Sequence, residues 1–271
     1  MDNEWLKEQI DLLIGGDLIN QIVVSNYAAM KYNIPFVGVY GACSTTTLAF
    51  LTAAMFLENN YRSDNKNIIT FVSSHNGSAE RTFRYPNEYG TQRCECYTTT
   101  VTAANSFLFS NQKSKIKLTK ATVGKVIDST MRDCQDMGRA MAPAAYQTIL
   151  EHFNDFECDI DEYDLILTGD LSYYGNLMLQ EMFLEDGIEF TMMKDSGLMV
   201  YDRKKQNVWA GGSGAGCIGI VLACDVFPKM ECGVYKKVLV CATGALMNST
   251  MLAQSETIPG ICHAITFEVI E

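Results

Sequence analysis

The chain has 271 residues, 48% of them hydrophobic, and a formal net charge of −11. That length gives one large or two modest domains with ample core, and the apolar content excludes a disordered chain. The acidic balance leaves no surplus of Lys and Arg for phosphates. It excludes a general nucleic-acid binder and argues against broad attraction to anionic lipid.

Met1-Asp2-Asn3-Glu4 opens no secretory signal and no transmembrane run follows, so the ten cysteines are expected as reduced thiols of an intracellular protein. Cys94-Glu95-Cys96 and the scattered remainder make no pair of CxxC knuckles, and three histidines are few for a metal enzyme. No metal and no cofactor is expected.

In chain order, Ile10 to Ile14 reads as a buried strand ending in the Gly15-Gly16-Asp17 turn. Ile34 to Tyr40 reads as a second short strand, Gly41-Ala42-Cys43-Ser44 as a tight turn, and Thr45 to about Tyr61 as a helix apolar on nearly every face. Such a helix belongs in an interior, since its apolar run falls short of the ~20 residues a bilayer span needs. Ser44 and Thr45 are candidate N-caps for it. Cys43 then stands at the positive end of a buried helix, where a thiolate is favoured. The plainer reading is a core thiol, because free cysteines are usually buried and no base is adjacent in sequence.

Asn67 to Ser74 is a third strand, and Ser73 to Gln92 reads as a long polar loop at its C-terminal end, where α/β proteins build sites. Arg81 and Arg84 offer planar forks suited to carboxylates. The competing reading is a solvated loop whose arginines pair with Glu80 and Glu88. A linker, Asp136 to Pro143, leads to a helix from Ala144 to Phe153 that leaves His152 at the surface.

The second half repeats the first. Asp164-Leu-Ile-Leu-Thr-Gly-Asp-Leu171 aligns without a gap on Asp11-Leu-Leu-Ile-Gly-Gly-Asp-Leu18. Gly211–Gly216 with the apolar Cys217–Phe227 answers the Cys43 turn and its helix, and Lys237–Thr243 answers Asn67–Ser74. Tyr201–Gln206 reads as an exposed hairpin tip. The Gly211–Gly216 run lacks the Lys-Ser/Thr of a phosphate loop, so close helix–strand packing explains its glycines. Asp17 and Asp170 are expected to make paired structural Asx-type turns. The pattern predicts an α/β fold of two duplicated halves, 1–150 and 151–271, packed as one layered unit around a shared helical layer.

A duplicated α/β chain with Gly41-Ala-Cys-Ser44 ahead of a buried helix resembles the thiolase and ketoacyl-synthase superfamily, in which the matching cysteine carries the acyl group. Ile34-Pro-Phe36, Tyr40-Gly-Ala-Cys-Ser44, Ser73-Ser-His-Asn76, Ala79-Glu-Arg81, Phe83-Arg-Tyr-Pro86 and Ala121-Thr-Val-Gly-Lys-Val126 carry a closer resemblance, to the stage V sporulation protein AD family. So do Asp136-Met-Gly138, Ala140-Met-Ala-Pro-Ala-Ala145, Ala210-Gly-Gly-Ser-Gly214, Ala242-Thr-Gly-Ala-Leu246 and Glu256-Thr-Ile-Pro259, and the match spans essentially the whole chain. The family pattern has a further strand and helix ahead of the equivalent of Glu4, so the first half is expected to lack its opening strand and helix and to leave an unpaired edge.

The resemblance implies a thiolase-like αβαβα fold and a non-catalytic subunit that binds dipicolinic acid, free or as its calcium salt, in spore uptake and release. It also implies a homodimer, peripheral at the spore inner membrane, with other stage V sporulation A membrane proteins as partners. Thr243-Gly-Ala-Leu-Met-Asn-Ser249 carries no histidine where thiolases carry Gly-His-Pro, and Ile258 to Ala264 lacks their Cys-x-Gly-Gly pattern. A condensing enzyme needs such a base, although Cys262 and His263 leave a rearranged dyad open. No catalytic residue is assigned. A flat dicarboxylate wants cationic forks, N–H donors and an apolar slot. Cys43, Ser44, His75, Asn76, Arg81, Arg84, Tyr85 and Gly244 are therefore expected to line one pocket, with Lys125 a weaker candidate and His75 equally readable as structural. The alternative is an acyltransferase with Cys43 as nucleophile.

Overall fold

The computed structural model describes residues 8–59, 66–83, 93–189 and 192–270. Two copies of one strand pattern organise it. In the first, β1 (Leu12–Asp17), buried along its whole length, pairs in parallel with β2 (Phe36–Gly38) and β3 (Asn67–Ser74), and β3 takes β5 (Ala103–Ser110) antiparallel on its far side. Helices α1 (Val23–Met30), α2 (Thr45–Glu58) and α3 (Asn76–Phe83) and the short β4 (Thr98–Thr100) fall between these strands.

The second half runs from β6 (Ile116–Val123) and β7 (Ile127–Asp128) through α4 (Met137–Asp155), β8 (Leu165–Thr168), α5 (Ser172–Glu185), β9 (Met193–Asp195) and α6 (Ser196–Met199). It continues with β10 (Gly211–Ser213) and α7 (Cys217–Val221), which passes through one π turn at Leu222–Val226 into α8 (Phe227–Glu231). Strand β11 (Lys237–Ala245), α9 (Ser249–Ala253) and β12 (Pro259–Val269) complete it.

The first sheet has the order β2-β1-β3-β5 and the second β9-β8-β11-β12-β6, with β7 also on β12. Strand for strand the two orders match, and so do the directions, since β8 pairs in parallel with β9 and β11, and β11 antiparallel with β12. A local detail repeats as well. Asp11 N–H donates to Asn67 O at 2.9 Å while its carboxylate accepts from Asn67 N, and Asp164 does the same with Lys237. The second sheet takes β6 from before residue 150 and its other main strands from after it. Among the described residues the first sheet has no strand in the place of β6.

The layers are αβαβα. Helix α2 packs against β1 and β3 on one side and β11 and β12 on the other, so it lies between the sheets beside α7 and α8, while α4 and α5 cover the outer face of the second sheet. Phe50 of α2 fixes this join. Its fully buried ring lies 5.0 Å from those of Phe107 and Phe109 in the first sheet and 6.0 Å from Phe267 in the second. An all-round apolar helix is thus used as a shared core. Among the described residues no helix is long and apolar enough to cross a membrane.

Several expectations change. The linker expected from Asp136 to Pro143 is helical from Met137, the first residue of α4, with the Asp136 side chain accepting from Arg139 N at its start. The stretch from Ser73 to Gln92 is not all loop, because Asn76–Phe83 forms α3, whose narrow apolar stripe, Ala79 and Phe83, packs into the core. Tyr201–Gln206 is a turn with no flanking strands, held by the Asp202 carboxylate accepting from Lys204 N at 3.0 Å and Lys205 N at 3.3 Å. His152 is not at the surface. It is fully buried, with Nδ1 2.9 Å from Thr122 Oγ1 and Nε2 3.0 Å from Thr266 Oγ1 and 3.1 Å from Tyr163 OH.

Candidate functional site

The turn ahead of α2 is built by hydroxyls that face backwards. Ser44 Oγ donates to Gly41 O at 2.7 Å and Thr45 Oγ1 to Ala42 O at 2.6 Å, while Gly41 N donates to Thr45 Oγ1 at 3.1 Å. The Ser44 side chain makes no cap hydrogen bond to the first turn of α2, and Thr45 Oγ1 accepts from Gly41 ahead of the helix, contrary to the capping expected of the pair. Their hydrogen bonds instead hold Ala42 at φ 51°, a left-handed conformation uncommon for a residue with a side chain. That kink presents Cys43 to a pocket while Ser44 stays fully buried beneath it.

The pocket is a narrow cavity of about 30 Å³ that opens to solvent and lies where both sheets end. Leu18, Ala42, Cys43, Met137, Ala245 and Met247 give it an apolar wall, and Tyr40, Glu80, Thr100 and Ser213 add polar atoms. It shares Leu18, Tyr40, Phe83 and Met247 with a wider outer cleft reaching Gln21 and Asn248. Glu80 is the one charged residue among its described lining. It accepts from Tyr97 OH at 2.5 Å and from Thr100 Oγ1 at 2.9 Å and N at 3.2 Å, which ties α3 to β4.

Behind Cys43 lies a polar chain drawn from the second half. The Cys43 sulfur is 3.5 Å from Ser213 Oγ, and Ser213 Oγ donates to Asp170 Oδ2 at 2.7 Å. Gly214 N donates to the same oxygen at 3.0 Å and Thr243 Oγ1 to Oδ1 at 2.9 Å. Asp170 is fully buried, and burial raises its carboxyl above the usual range while the donors oppose the shift. Burial first, and the Asp170 charge second, push the Cys43 thiol well above its ordinary value. Cys43 is held as a neutral thiol.

Of the expected site residues, the structure brings Cys43, Ser44 and Gly244 together. A Cβ at Gly244 would press into the Gly41 carbonyl oxygen and stand 3.2 Å from Ser44 N, so only glycine lets β11 approach the turn. Asn76 opens α3 with its Nδ2 donating to Thr100 O at 3.0 Å, next to the pocket wall but not lining it. His75 and Arg81 are exposed and do not line it either. Arg84 and Tyr85 lie outside the described residues. Lys125 is at the surface, paired with Glu151.

The rearranged dyad does not form. Neighbours on a strand face opposite ways, and Cys262 packs into the core beneath α4, whereas His263 Nδ1 accepts from Gly124 N at 3.3 Å. Burial lowers the His263 ring to about 4. The sequence reading missed Glu80, Ser213 and Thr243, and took Asp170 for a turn residue. Asp17 is one, accepting from Ile19 N at 2.8 Å; Asp170 instead serves Cys43's neighbours. Among the described residues no cluster of three or more His, Cys, Asp or Glu is placed to hold a metal ion.

Comparison with solved structures places this geometry in a known fold. The chain is similar to 3-oxoacyl-[acyl-carrier-protein] synthase III from Aquifex aeolicus, with a TM-score of 0.62, 13% identity, and 97% of this chain and 78% of that one covered. It is also similar to Xanthomonas campestris OleA, with a TM-score of 0.60, 14% identity and 97% and 74% covered. A type III pentaketide synthase from Neurospora crassa gives a TM-score of 0.60, 13% identity and 97% and 73% covered. At such identities the likeness shows the thiolase-like fold.

In sequence, the chain is 44% identical over 267 residues to stage V sporulation protein AD of Bacillus subtilis, covering 98% of this chain and 78% of that protein. The family model for stage V sporulation protein AD matches residues 2–268. The chain therefore belongs to the stage V sporulation protein AD family, a family of sporulation proteins with a thiolase-like fold.

Proposed function

We propose that the protein is a non-catalytic subunit that binds dipicolinic acid, alone or as its calcium salt, in the pocket at Cys43. One observation carries the reading: the cysteine at the nucleophile position is a buried neutral thiol backed by Ser213 and the buried Asp170, with no histidine in the described lining. An acyl-transferring cysteine needs a base or a lowered pKa. The apolar wall suits the face of a small flat ring.

The same reading makes the protein a homodimer, peripheral at the spore inner membrane, that works with other stage V sporulation A proteins. Supporting it are the exposed Val24, Tyr27 and Met30 on α1 and the edge of β2 next to them, which pairs with no second strand among the described residues. The test is calorimetric titration with dipicolinate and with acetyl-CoA. Saturable dipicolinate binding and silence toward acetyl-CoA are expected. Label from an acyl-CoA trapped on Cys43, with indifference to dipicolinate, returns the protein to the acyltransferases.

A further inference from the structure

Two carboxylates are buried under the pocket. Asp170 lies in the turn from Gly169 to Ser172, Asp195 accepts from that turn's backbone, and the two are 1% and 2% exposed. Asp195 Oδ1 accepts from Ser172 N at 2.9 Å and Leu198 N at 3.2 Å, and Oδ2 accepts from Thr168 Oγ1 at 2.7 Å and Leu171 N at 3.0 Å. Every hydrogen-bond donor to either acid is uncharged, and among the described residues no cation forms an ion pair with them. Two buried like charges without a counter-ion disfavour double ionisation.

The titratable groups facing Asp195 add no positive charge. Asp170 comes from the β8 end, Cys217 from the start of α7, and Cys43 and Tyr201 stand beyond them. Its chain neighbour Lys194 turns away, with Nζ 3.0 Å from Tyr235 OH. Burial first, with the Asp170 charge adding to it against the Thr168 hydrogen bond, raises Asp195 to about 7.

The geometry can also accommodate a proton without moving a heavy atom. Thr168 Oγ1 lies 2.7 Å from Asp195 Oδ2 and 3.3 Å from Lys194 O. With Asp195 ionised, the threonine donates to it. With Oδ2 protonated, the new O–H donates to Thr168 Oγ1, and the threonine turns its own hydrogen to the Lys194 carbonyl. On the pocket side, Asp170 reaches the lining through Ser213 and Gly214. An anion in the pocket thus becomes a third negative charge in one buried cluster.

We infer that capture of an anion at the Cys43 pocket is coupled to uptake of one proton from solvent by the Asp170–Asp195 pair, the proton resting on Asp195 Oδ2. The inference rests on the reading that the pocket takes an anionic ligand. By reciprocity, protonation of the pair strengthens anion binding as much as the anion strengthens protonation.

The experiment is calorimetric titration of the full chain with pyridine-2,6-dicarboxylate in buffers of different ionisation enthalpy, across the pH range around 7. Expected is net proton uptake peaking just above that midpoint and vanishing well below it. The Kd should fall by up to about tenfold per pH unit in the window where uptake approaches one proton. Asp195→Asn should abolish the uptake and flatten the Kd profile. Thr168→Val keeps the carboxylate but removes a hydrogen bond that favours its ionised form, and should move the uptake window to higher pH even if Asp195→Asn does not fold.

A ligand-free measurement separates the two readings. Infrared spectra over the same pH range should show a protonated-carboxyl band in the wild type that grows as pH falls through about 7 and appears at higher pH in Thr168→Val. Dipicolinate binding without proton uptake, or uptake unchanged in both variants, overturns the coupling alone. The band without any dipicolinate binding overturns the coupling and the ligand reading together.

Discussion

Asp17 and Asp170 stand at the same place in two copies of one strand and turn, yet they differ in what they hold. Asp17 closes its own turn on Ile19 and accepts from Ser25 N at 2.8 Å and Oγ at 2.7 Å. Asp170 reaches out of its turn to Ser213, Gly214 and Thr243 and so sets the environment of Cys43. The duplication supplies the acid in both halves, and only one copy faces the pocket.

Cys43 should therefore react slowly. Iodoacetamide labelling of the folded protein, followed by mass spectrometry, should show Cys43 unmodified at neutral pH while the exposed Cys224 and Cys232 label. Removing the neighbouring charge with Asp170→Asn should bring the Cys43 thiol down and speed its alkylation, because that charge raises it. Faster labelling of Cys43 than of Cys224 in the wild type would contradict the neutral-thiol assignment.

The buried histidines predict loss of stability in acid. His152 and His263 are both lowered from 6.5 to about 4, chiefly by burial. The unfolded chain binds more protons between these values, so their contribution is complete above about 6.5 and declines as pH falls toward 4. Each is worth roughly 3 kcal/mol across the window. Asp195 runs the opposite way, because its raised pKa stabilises the folded state as pH falls below about 7. The diagnostic is then the difference in slope of urea-unfolding free energy against pH, which should be shallower for His152→Gln than for the wild type.

Phe50 joins the two sheets through four rings, its own included. Phe50→Ala should cost about 3–5 kcal/mol, read as a lower denaturant midpoint, and Phe50→Leu distinctly less. Equal and small losses would mean the halves do not share this core.

Gly244→Ala should displace the Gly41–Ser44 turn, since the added methyl meets backbone on that side. A loss of about 1–3 kcal/mol is expected, with weaker ligand binding than the stability loss alone would give.

Much of the fold was legible in the sequence. The Asp11–Leu18 and Asp164–Leu171 runs are continuous apolar strands with the same polar ends, and the helix from Thr45 is apolar all round, so the repeat and its shared layer follow from the order of the residues. Helix α3 was not legible, because its buried stripe is only Ala79 and Phe83 within a polar stretch. The role of Asp170 was hidden because Ser213 and Thr243 are 43 and 73 residues away along the chain. His152 sits near a helix end that looks exposed, and Thr122 of β6, Thr266 of β12 and Tyr163, all distant from it in sequence or outside the helix, bury it.

The most direct measurement is calorimetric titration of dipicolinate into the wild type and into Ala245→Phe, which fills the pocket beside Cys43. Saturable binding to the wild type, lost in a variant that melts at a similar temperature, is the predicted result. Equal binding by both proteins, or none by the wild type, would contradict the assignment of this pocket to dipicolinate.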